Sequence, residues 1–295
     1  MEFKQLNFET IEDSRKKLNY KHIIAIVVAV LIVAVSIYLC IRVSTNGKAE
    51  EPKQEENIQE NILEEEPVIQ NIIPLPVLTE NAKTEIDNIY KSETKRVFLT
   101  FDDGPSTTVT PQILDTLKAN NIKATFFVLG SCAELYPDIV KRAYDEGHFI
   151  ANHGYSHKYQ SIYANTNNVL DEYVRTENAI KNALGNQEYA SHLFRFPGGS
   201  AGGKYASVKK QAINILAENQ IAHVDWNCLT KDSEGNFGVG ELLSNLYNTS
   251  QNKNSIVVLM HDAGAKQSTA DALQGVIDYF REKDYEFMSF YDIMK

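Results

Sequence analysis

The chain is organised around the stretch Leu99-Thr100-Phe101-Asp102-Asp103-Gly104-Pro105, in which an apolar strand runs directly into two carboxylates, a glycine and a proline. Neighbouring side chains of a regular strand point to opposite faces. A strand that ends at Asp102 and breaks at Gly104-Pro105 can nevertheless turn both carboxylates into one pocket. Two carboxylates in a dry site repel each other, so one of them needs a cation. The stretch therefore predicts further metal ligands elsewhere in the chain.

The candidate ligands are His153 and His157, which flank the residues Gly154-Tyr155-Ser156. If they lie on a helical turn, their i, i+4 spacing places both imidazoles on one side. With one carboxylate they would make a two-histidine, one-carboxylate set that leaves open positions on a divalent metal. Hydrolysis at such a site also needs a base for the attacking water and an acid for the leaving group. The spare carboxylate of the aspartate pair and His261 fit these roles.

From residue 95 onward the sequence alternates about seven times between strand-like apolar runs and helical spacing of apolar residues. Thr110-Pro111 and Pro137 are typical helix starts, and Gly147 and Gly185 are typical helix ends. The alternation predicts parallel β/α units, either closed as a barrel or opened as a doubly wound sheet. In a barrel, the loops after the strands share one rim. The polar candidates that follow or end strands are Asp102, Asp103, His153, Arg195, Asp232 and His261.

Composition excludes some functional classes. The chain has 295 residues and a formal net charge of −10, so there is no basic surface of the kind that a nucleic-acid backbone requires. The cysteines Cys40, Cys132 and Cys228 lie far apart without CxxC spacing. This spacing indicates neither a thiolate zinc site nor a disulfide framework, although a single bridge between Cys132 and Cys228 stays open.

The N-terminal part predicts a membrane anchor and a linker. Residues 23–41 are apolar and carry no formal charge, and this run is long enough to cross a bilayer as a helix. Basic residues precede this run, so residues 1–22 are expected in the cytoplasm and the remainder outside the cell. A cleaved signal peptide is the alternative, but the run is long and no small-residue cleavage site follows it. Residues 42–94 are rich in Glu and Pro and predict a solvated linker, and residues 95–295 form the predicted catalytic domain.

Five motifs in order resemble the polysaccharide deacetylases, which are carbohydrate esterase family 4 enzymes with a NodB homology domain. The resemblance implies a distorted, incomplete (β/α) barrel over residues 95–295. It also implies metal-dependent removal of N-acetyl groups from a glycan, with release of acetate. The motifs are the opening stretch up to Pro105, Thr125-Phe126-Phe127-Val128, His153 through His157, Arg195-Phe196-Pro197-Gly198 and Leu259-Met260-His261.

The resemblance assigns a base and a metal centre. Asp102 would be the general base that deprotonates the attacking water. Asp103, His153 and His157 would hold one divalent metal, with zinc expected and cobalt or nickel as alternatives. Arg195 would pair with Asp102, orient it and keep it ionised.

The resemblance also assigns an acid and a site for the oxyanion. His261 would protonate the departing amine, and Asp232 would support it in its cationic form, with Asp225 as the alternative support. Pro197 and Gly198 would line the position of the substrate, where the backbone N–H of Gly198 would stabilise the tetrahedral oxyanion.

Three positions depart from the family pattern. Gly154 replaces the usual Ser or Thr, which removes a hydrogen bond that would stabilise the loop. Gly198 replaces an aromatic residue and Ser233 replaces a Trp, so the walls of the sugar pocket must be built differently. Trp226, the only tryptophan, is either such a wall or a core residue.

The predicted location favours peptidoglycan as the glycan, and its N-acetylglucosamine as the sugar, over chitin or xylan. Two rival functions remain open from the sequence. The first is a catalytically inactive glycan-binding protein with the same fold. The second is a metal hydrolase of the same architecture that acts on another acetyl ester or amide.

Overall fold

The computed structural model describes residues 73–294, in which eight parallel strands carry helices in the connections between them. The strands are β1 Arg96–Asp102, β2 Thr125–Val128, β3 Phe149–Asn152, β4 Leu193–Phe194, β5 Ala222–His223, β6 Cys228–Leu229, β7 Ser255–His261 and β8 Glu286–Met288. The helices are α1 Glu80–Asp87, α2 Thr110–Ala119, α3 Gly130–Leu135, α4 Pro137–Asp145, α5 Tyr159–Ile162, α6 Thr166–Leu184, α7 Ala206–Glu218, α8 Val239–Ser250 and α9 Gln267–Glu282. Two 3₁₀ turns cover Ile89–Lys91 and Phe290–Asp292.

The strands form one curled sheet in the order β5-β4-β3-β2-β1-β7-β6. β8 pairs with the first residues of β1, and β2 pairs with its last residues along the same edge. Within residues 73–294 no pairing joins β5 to β6, so the barrel stays open. This arrangement confirms the predicted incomplete (β/α) barrel and excludes the doubly wound sheet.

The central strand β1 is buried over its whole length and separates two apolar clusters. Val97, Leu99 and Phe101 pack outward among the surrounding helices. Phe98 packs inward with residues of β2, β3 and β7. Side chains alternate along a strand, so Asp102 shares the inward face with Phe98. The alternation of the strand thus places the side chain of Asp102 on the inward face of the sheet, at the end of β1.

The predicted helix signals act where they were expected. Pro111 lies in the first turn of α2, and Pro137 begins α4. Gly185 adopts the left-handed conformation, with φ of 64°, directly after α6. Glycine takes this conformation without the steric cost that a Cβ imposes.

The structure places folded elements inside the segment that was predicted as a linker up to residue 94. In α1, Ala82 and Ile86 are buried, and Ile89 follows in the next turn. These residues pack in the inward cluster with Phe290 and Met294. The apolar face of this short helix covers the inward side of the sheet, so residues 80–91 belong to the folded domain. The composition of residues 42–94 concealed the helix because acidic residues dominate the segment.

Among residues 73–294 no helix combines the length and the apolar composition needed to cross a bilayer. The segment 23–41, predicted as the anchor, lies outside the described residues, as do residues 1–22 and Cys40. Cys132 and Cys228 are both free thiols, so the bridge between them that the sequence left open is absent.

Candidate active site

The turn after β1 places the two aspartates in one pocket. Asp102 is the last residue of the strand, and Asp103 adopts the left-handed conformation, with φ of 74°. This reversal brings the Asp103 carboxylate to the inward side as well. A Cβ on Gly104 would overlap the buried carboxylate of Asp262, so only glycine fits at this point of the turn. The opening stretch therefore folds as its sequence predicts.

Asp103, His153 and His157 form a possible metal site. Their candidate ligand atoms all lie within 4.8 Å of one another. Asp103 Oδ1 lies 3.5 Å from Nε2 of His153 and 3.3 Å from Nε2 of His157. The same oxygen is buried without a hydrogen-bond partner among the described residues. A buried carboxylate oxygen between two imidazole nitrogens suits a divalent cation, so these residues fit the implied metal.

The two histidines meet through a loop, whereas the sequence suggested a helical turn. His153 follows β3 directly, and the chain then reverses through Gly154 and His157, whose φ angles are 78° and 53°. The two rings lie 5.4 Å apart between centroids. The i, i+4 spacing thus brings the imidazoles together, but by left-handed turns and not by helical geometry.

His153 is held in the neutral form that a metal ligand requires. Its Nδ1 lies 2.8 Å from the carbonyl oxygen of Arg195. Because a carbonyl oxygen only accepts, Nδ1 carries the proton and Nε2 keeps its lone pair facing Asp103. Burial lowers the pKa of His153 to about 3, with the charges of His157 and Arg195 acting in the same direction.

Arg195 is fully buried and holds Asp102. Its Nη1 donates to Oδ1 of Asp102 at 2.8 Å and to Oγ1 of Thr100 at 2.7 Å. Its guanidinium lies 3.9 Å from the centre of the Phe127 ring. Burial raises the pKa of Asp102 above its ordinary value and outweighs the opposing charge of Arg195. The sequence predicted the pairing, but the net direction of the pKa follows from the complete burial of the carboxyl.

His261 is held on the opposite side of Asp102 by Asp232. Its Nδ1 lies 2.8 Å from Oδ1 of Asp232, and its backbone N–H donates to Oδ2 at 2.7 Å. Thr269 donates a further hydrogen bond to Oδ2 at 2.8 Å. Burial alone would lower the pKa of His261. The hydrogen bond and charge of Asp232, with the charges of Asp102 and Asp103, overcome this effect and raise it to about 9.

Asp225, the alternative partner for His261, has a different position. Its carboxylate accepts hydrogen bonds from the backbone N–H of Ser200 at 2.9 Å and from the Ser200 hydroxyl at 2.6 Å. Its backbone carbonyl accepts from Nη2 of Arg195 at 3.0 Å. Asp225 therefore holds the loop after Gly199, and the pairing with His261 belongs to Asp232.

The loop Pro197-Gly198 borders the site, and side chains hold its backbone carbonyl groups. The hydroxyl of Tyr163 donates to the carbonyl of Pro197 at 2.7 Å, and Lys209 donates to that of Gly199 at 2.6 Å. The backbone N–H of Gly198 has no partner within residues 73–294. It is therefore free to donate to a substrate oxygen.

Tyr159 occupies the space that a side chain at position 198 would fill. A Cβ on Gly198 would lie 2.5 Å from the Tyr159 hydroxyl, and the Tyr159 ring lies 5.4 Å from that of His157. Trp226 packs partly in the inward cluster and also faces Gly199, where a Cβ would lie 3.2 Å from its ring. The sequence left Trp226 as either a wall of the pocket or a core residue, and the structure places it against both the inward cluster and Gly199.

Sequence reasoning missed several supporting residues. Thr100 could have been found, because the alternation of β1 places it on the same face as Asp102. Thr269 and Glu172 could not, since each reaches the site from a helix whose sequence carries no motif for the contact. Glu172 accepts hydrogen bonds from the loop between His153 and His157.

Comparisons with known proteins agree with this geometry. A profile of the polysaccharide deacetylase family matches residues 90–220. A peptidoglycan-N-acetylglucosamine deacetylase of Bacillus cereus is 30% identical over 282 residues, which cover 94% of each chain. The peptidoglycan-N-acetylglucosamine deacetylase PgdA of Listeria monocytogenes is 33% identical over 212 residues, which cover 70% of this chain but only 41% of the relative. The chain thus spans less than half of the Listeria protein.

A solved structure has the same fold. The structure of a Streptococcus mutans CE4 esterase superposes with a TM-score of 0.64 and is 32% identical, covering 70% of this chain and 90% of that one.

Proposed function

Because this chain belongs to the polysaccharide deacetylase family, we propose that it hydrolyses N-acetyl groups of a cell-wall glycan. The favoured substrate is the N-acetylglucosamine of peptidoglycan, on which the named relatives from Bacillus cereus and Listeria monocytogenes act. The products are acetate and a free amine on the sugar.

One observation carries the proposal. A buried carboxylate, Asp102, lies between a neutral histidine with a free lone pair and a second histidine that is protonated at neutral pH. Amide hydrolysis requires a proton acceptor for water and a proton donor for the amine. A binding protein needs neither, so the arrangement supports catalysis.

The metal site consists of Asp103, His153 and His157, and zinc is the expected ion. A divalent cation held there would act as a Lewis acid that polarises the acetyl carbonyl and makes water more acidic. Imidazole and carboxylate ligands also suit cobalt and nickel. The identity of the ion is part of the proposal.

Asp102 acts as the general base. Its raised pKa improves its match to a proton transfer near neutral pH. Arg195 keeps the carboxylate in one orientation, because its guanidinium is fixed by Thr100 and by two backbone carbonyls. In this role Asp102 takes the proton of the water that attacks the acetyl carbon.

His261 acts as the general acid. With a pKa of about 9 it carries a proton at neutral pH, and Asp232 stabilises that cation. The proton passes to the nitrogen of the departing amine, which would otherwise leave as an unstable anion. The backbone N–H of Gly198, beside Pro197, donates to the negative charge that develops on the acetyl oxygen.

The proposed location agrees with this substrate. A helix at 23–41, with residues 1–22 in the cytoplasm, would hold the catalytic domain outside the membrane, where it could reach the cell wall. Deacetylation would then place positive charge on the wall and lower its susceptibility to lysozyme. A deletion strain should show more acetylated muropeptides and greater lysozyme sensitivity. Unchanged acetylation would contradict the proposed substrate.

The direct experiment measures acetate release from N-acetylglucosamine oligomers and from purified peptidoglycan by the full-length chain. We expect release that a chelator abolishes, that added zinc restores and that Asp102→Asn lacks. Asp171→Asn, an exposed change on α6 with the same loss of charge, is the matched control and should keep full activity.

Other outcomes favour the rival functions. A folded protein that binds the oligomers but releases no acetate with any divalent ion would be a glycan-binding protein. Release only from aryl esters or from amides that are not sugars would indicate another acetyl hydrolase of this architecture.

A further inference from the structure

The loop between the two metal-site histidines is held by side chains. Its three successive backbone N–H groups all donate to side-chain oxygens. Gly154 donates to Oδ1 of Asn152 at 3.0 Å, and Tyr155 and Ser156 both donate to Oε2 of Glu172 at 2.7 Å. The hydroxyl of Ser156 donates to Oε1 of Glu172 at 2.6 Å. Glu172 therefore accepts three of these four hydrogen bonds.

Glu172 projects from a well-anchored element. It lies in α6, a helix of 19 residues in which the nearby Tyr173, Thr176 and Glu177 are buried. Further along the helix, Glu177 accepts a hydrogen bond from Nδ2 of Asn152 at 2.9 Å, so two of the three carboxylates of α6 support this loop. Within residues 73–294 Glu172 forms no ion pair with a basic side chain. The N–H and hydroxyl donors of the loop therefore stabilise the negative charge of Glu172.

His157 depends on this loop more than His153 does. His153 is buried and donates through Nδ1 to a backbone carbonyl. The side chain of His157 is one-third exposed, and its Nδ1 has no hydrogen-bond partner among the described residues. Its backbone is left-handed, with φ of 53°, a conformation that is sterically unfavourable for a residue with a Cβ. The position of the His157 ring is therefore set by the backbone that Glu172 holds.

From these contacts we propose that Glu172 is a positioning residue for the metal site, which fixes His157 toward Asp103 and so raises the affinity for a divalent cation. The hydrogen bonds of Glu172 hold the loop where Gly154, which has no side chain, cannot contribute a side-chain hydrogen bond. The inference rests on the proposed function, because it concerns the same metal site. Groups that orient metal ligands in this way typically change metal affinity by about 10–100-fold when they are replaced.

The experiment compares zinc binding by the full-length chain and its Glu172→Gln variant, measured by competition with a chromophoric chelator. Glutamine keeps the shape but removes the negative charge, and its NH₂ group replaces one of the two carboxylate oxygens that accept hydrogen bonds from the loop. We expect the dissociation constant for Zn²⁺ to rise by about 10–100-fold. Asp171→Asn, the neighbouring residue on the exposed face of α6, removes the same charge and should leave the constant unchanged.

Acetate release provides a second measurement. Excess zinc should restore the kcat of Glu172→Gln, whereas a defect of the fold would persist at any zinc concentration. Ser156→Ala removes only the hydroxyl bond, so it should weaken zinc binding in the same direction by a smaller factor. This variant carries the test if Glu172→Gln does not fold.

The inference is overturned if Glu172→Gln, or Ser156→Ala in its place, binds zinc as tightly as the unchanged protein while that protein binds zinc and releases acetate. If the unchanged protein binds no divalent ion and releases no acetate, the proposed function fails and this inference fails with it. Weaker binding in both variants, together with rescue by zinc, supports the inference.

Discussion

The two sides of the pocket give a buried histidine opposite properties. His153 and His261 are 2% and 8% exposed, and each lies where a parallel strand ends. His153 donates to the backbone carbonyl of Arg195, and burial lowers its pKa to about 3. His261 pairs with the carboxylate of Asp232, which overcomes burial and raises its pKa to about 9. Burial therefore decides the protonation state of His153, whereas the carboxylate of Asp232 overcomes burial and decides that of His261.

This difference divides the chemistry within one pocket. His153 offers a lone pair and can therefore bind a metal, whereas His261 carries a proton and can therefore act as a general acid. Asp102 lies between them, with Oδ2 at 3.7 Å from Nε2 of His153 and its strand position paired with that of His261. Four measurements test whether the two sides act as separately as this geometry indicates.

The largest effect should come from the metal side. His153→Asn removes a buried ligand, and we expect kcat to fall by about 10⁴-fold because a Lewis acid contributes several kcal/mol. Zinc binding should be lost in the same variant, as measured by chelator competition. Activity that survives both His153→Asn and full chelation would mean that this side is not a metal centre.

The acid side should show a smaller loss with a different signature. His261→Asn should lower kcat by about 10³-fold, within the range typical of general acid–base catalysis. The variant should bind zinc as the unchanged protein does, and added zinc should not restore its activity. A large change in zinc affinity would show that the two sides are coupled.

Asp232→Asn should make His261 neutral at a lower pH, as His153 is. Without the carboxylate, the pKa of His261 falls from about 9 toward 6.5, because burial lowers it and only the charges of Asp102 and Asp103 still oppose burial. At pH 8 the protonated fraction then falls by about 30-fold, and kcat/KM should fall with it. The basic limb of the pH profile should move to lower pH. A profile that keeps its basic limb near pH 9 would assign that limb to another group.

The smallest effect concerns stability. A folded-state pKa of about 9, above the unfolded value of 6.5, means that the stabilisation from protonated His261 is full below pH 6.5 and is lost as pH rises through 9. Asp232→Asn should therefore lower the free energy of unfolding by about 2 kcal/mol near pH 6, and by less at pH 10. Urea unfolding at the two pH values measures this difference. An equal loss at both would mean that Asp232 stabilises the fold without the charge of His261.

Much of the site could be predicted because it lies close to strong local signals. The apolar run of β1 predicts a buried strand, and its abrupt end at Asp102-Asp103-Gly104 indicates a turn with two carboxylates. Asp103, His153 and His157 do lie together, and Arg195 does pair with Asp102. The resemblance to the polysaccharide deacetylases is confirmed by relatives that match the chain over most of its length.

The contributions that the sequence did not reveal come from distant segments. The sequence favoured Asp232 as the partner of His261 but left Asp225 as an alternative, because local alignment does not show which carboxylate reaches the ring. Glu172 carries no motif and lies in a helix whose pattern predicts only packing. The helix α1 was concealed by an acidic composition that is typical of a linker.

By itself, the sequence determined the parallel β/α architecture, the paired carboxylates and the set of polar residues at the strand ends, because strand alternation and turn chemistry act over a few residues. Only the tertiary structure decided which carboxylate supports His261, that Tyr159 fills the space beside Gly198, and that the histidine loop depends on Glu172. These contacts join residues far apart in the chain. Protonation states follow from them as well, since burial and the nearest charged partner exist only in the folded protein.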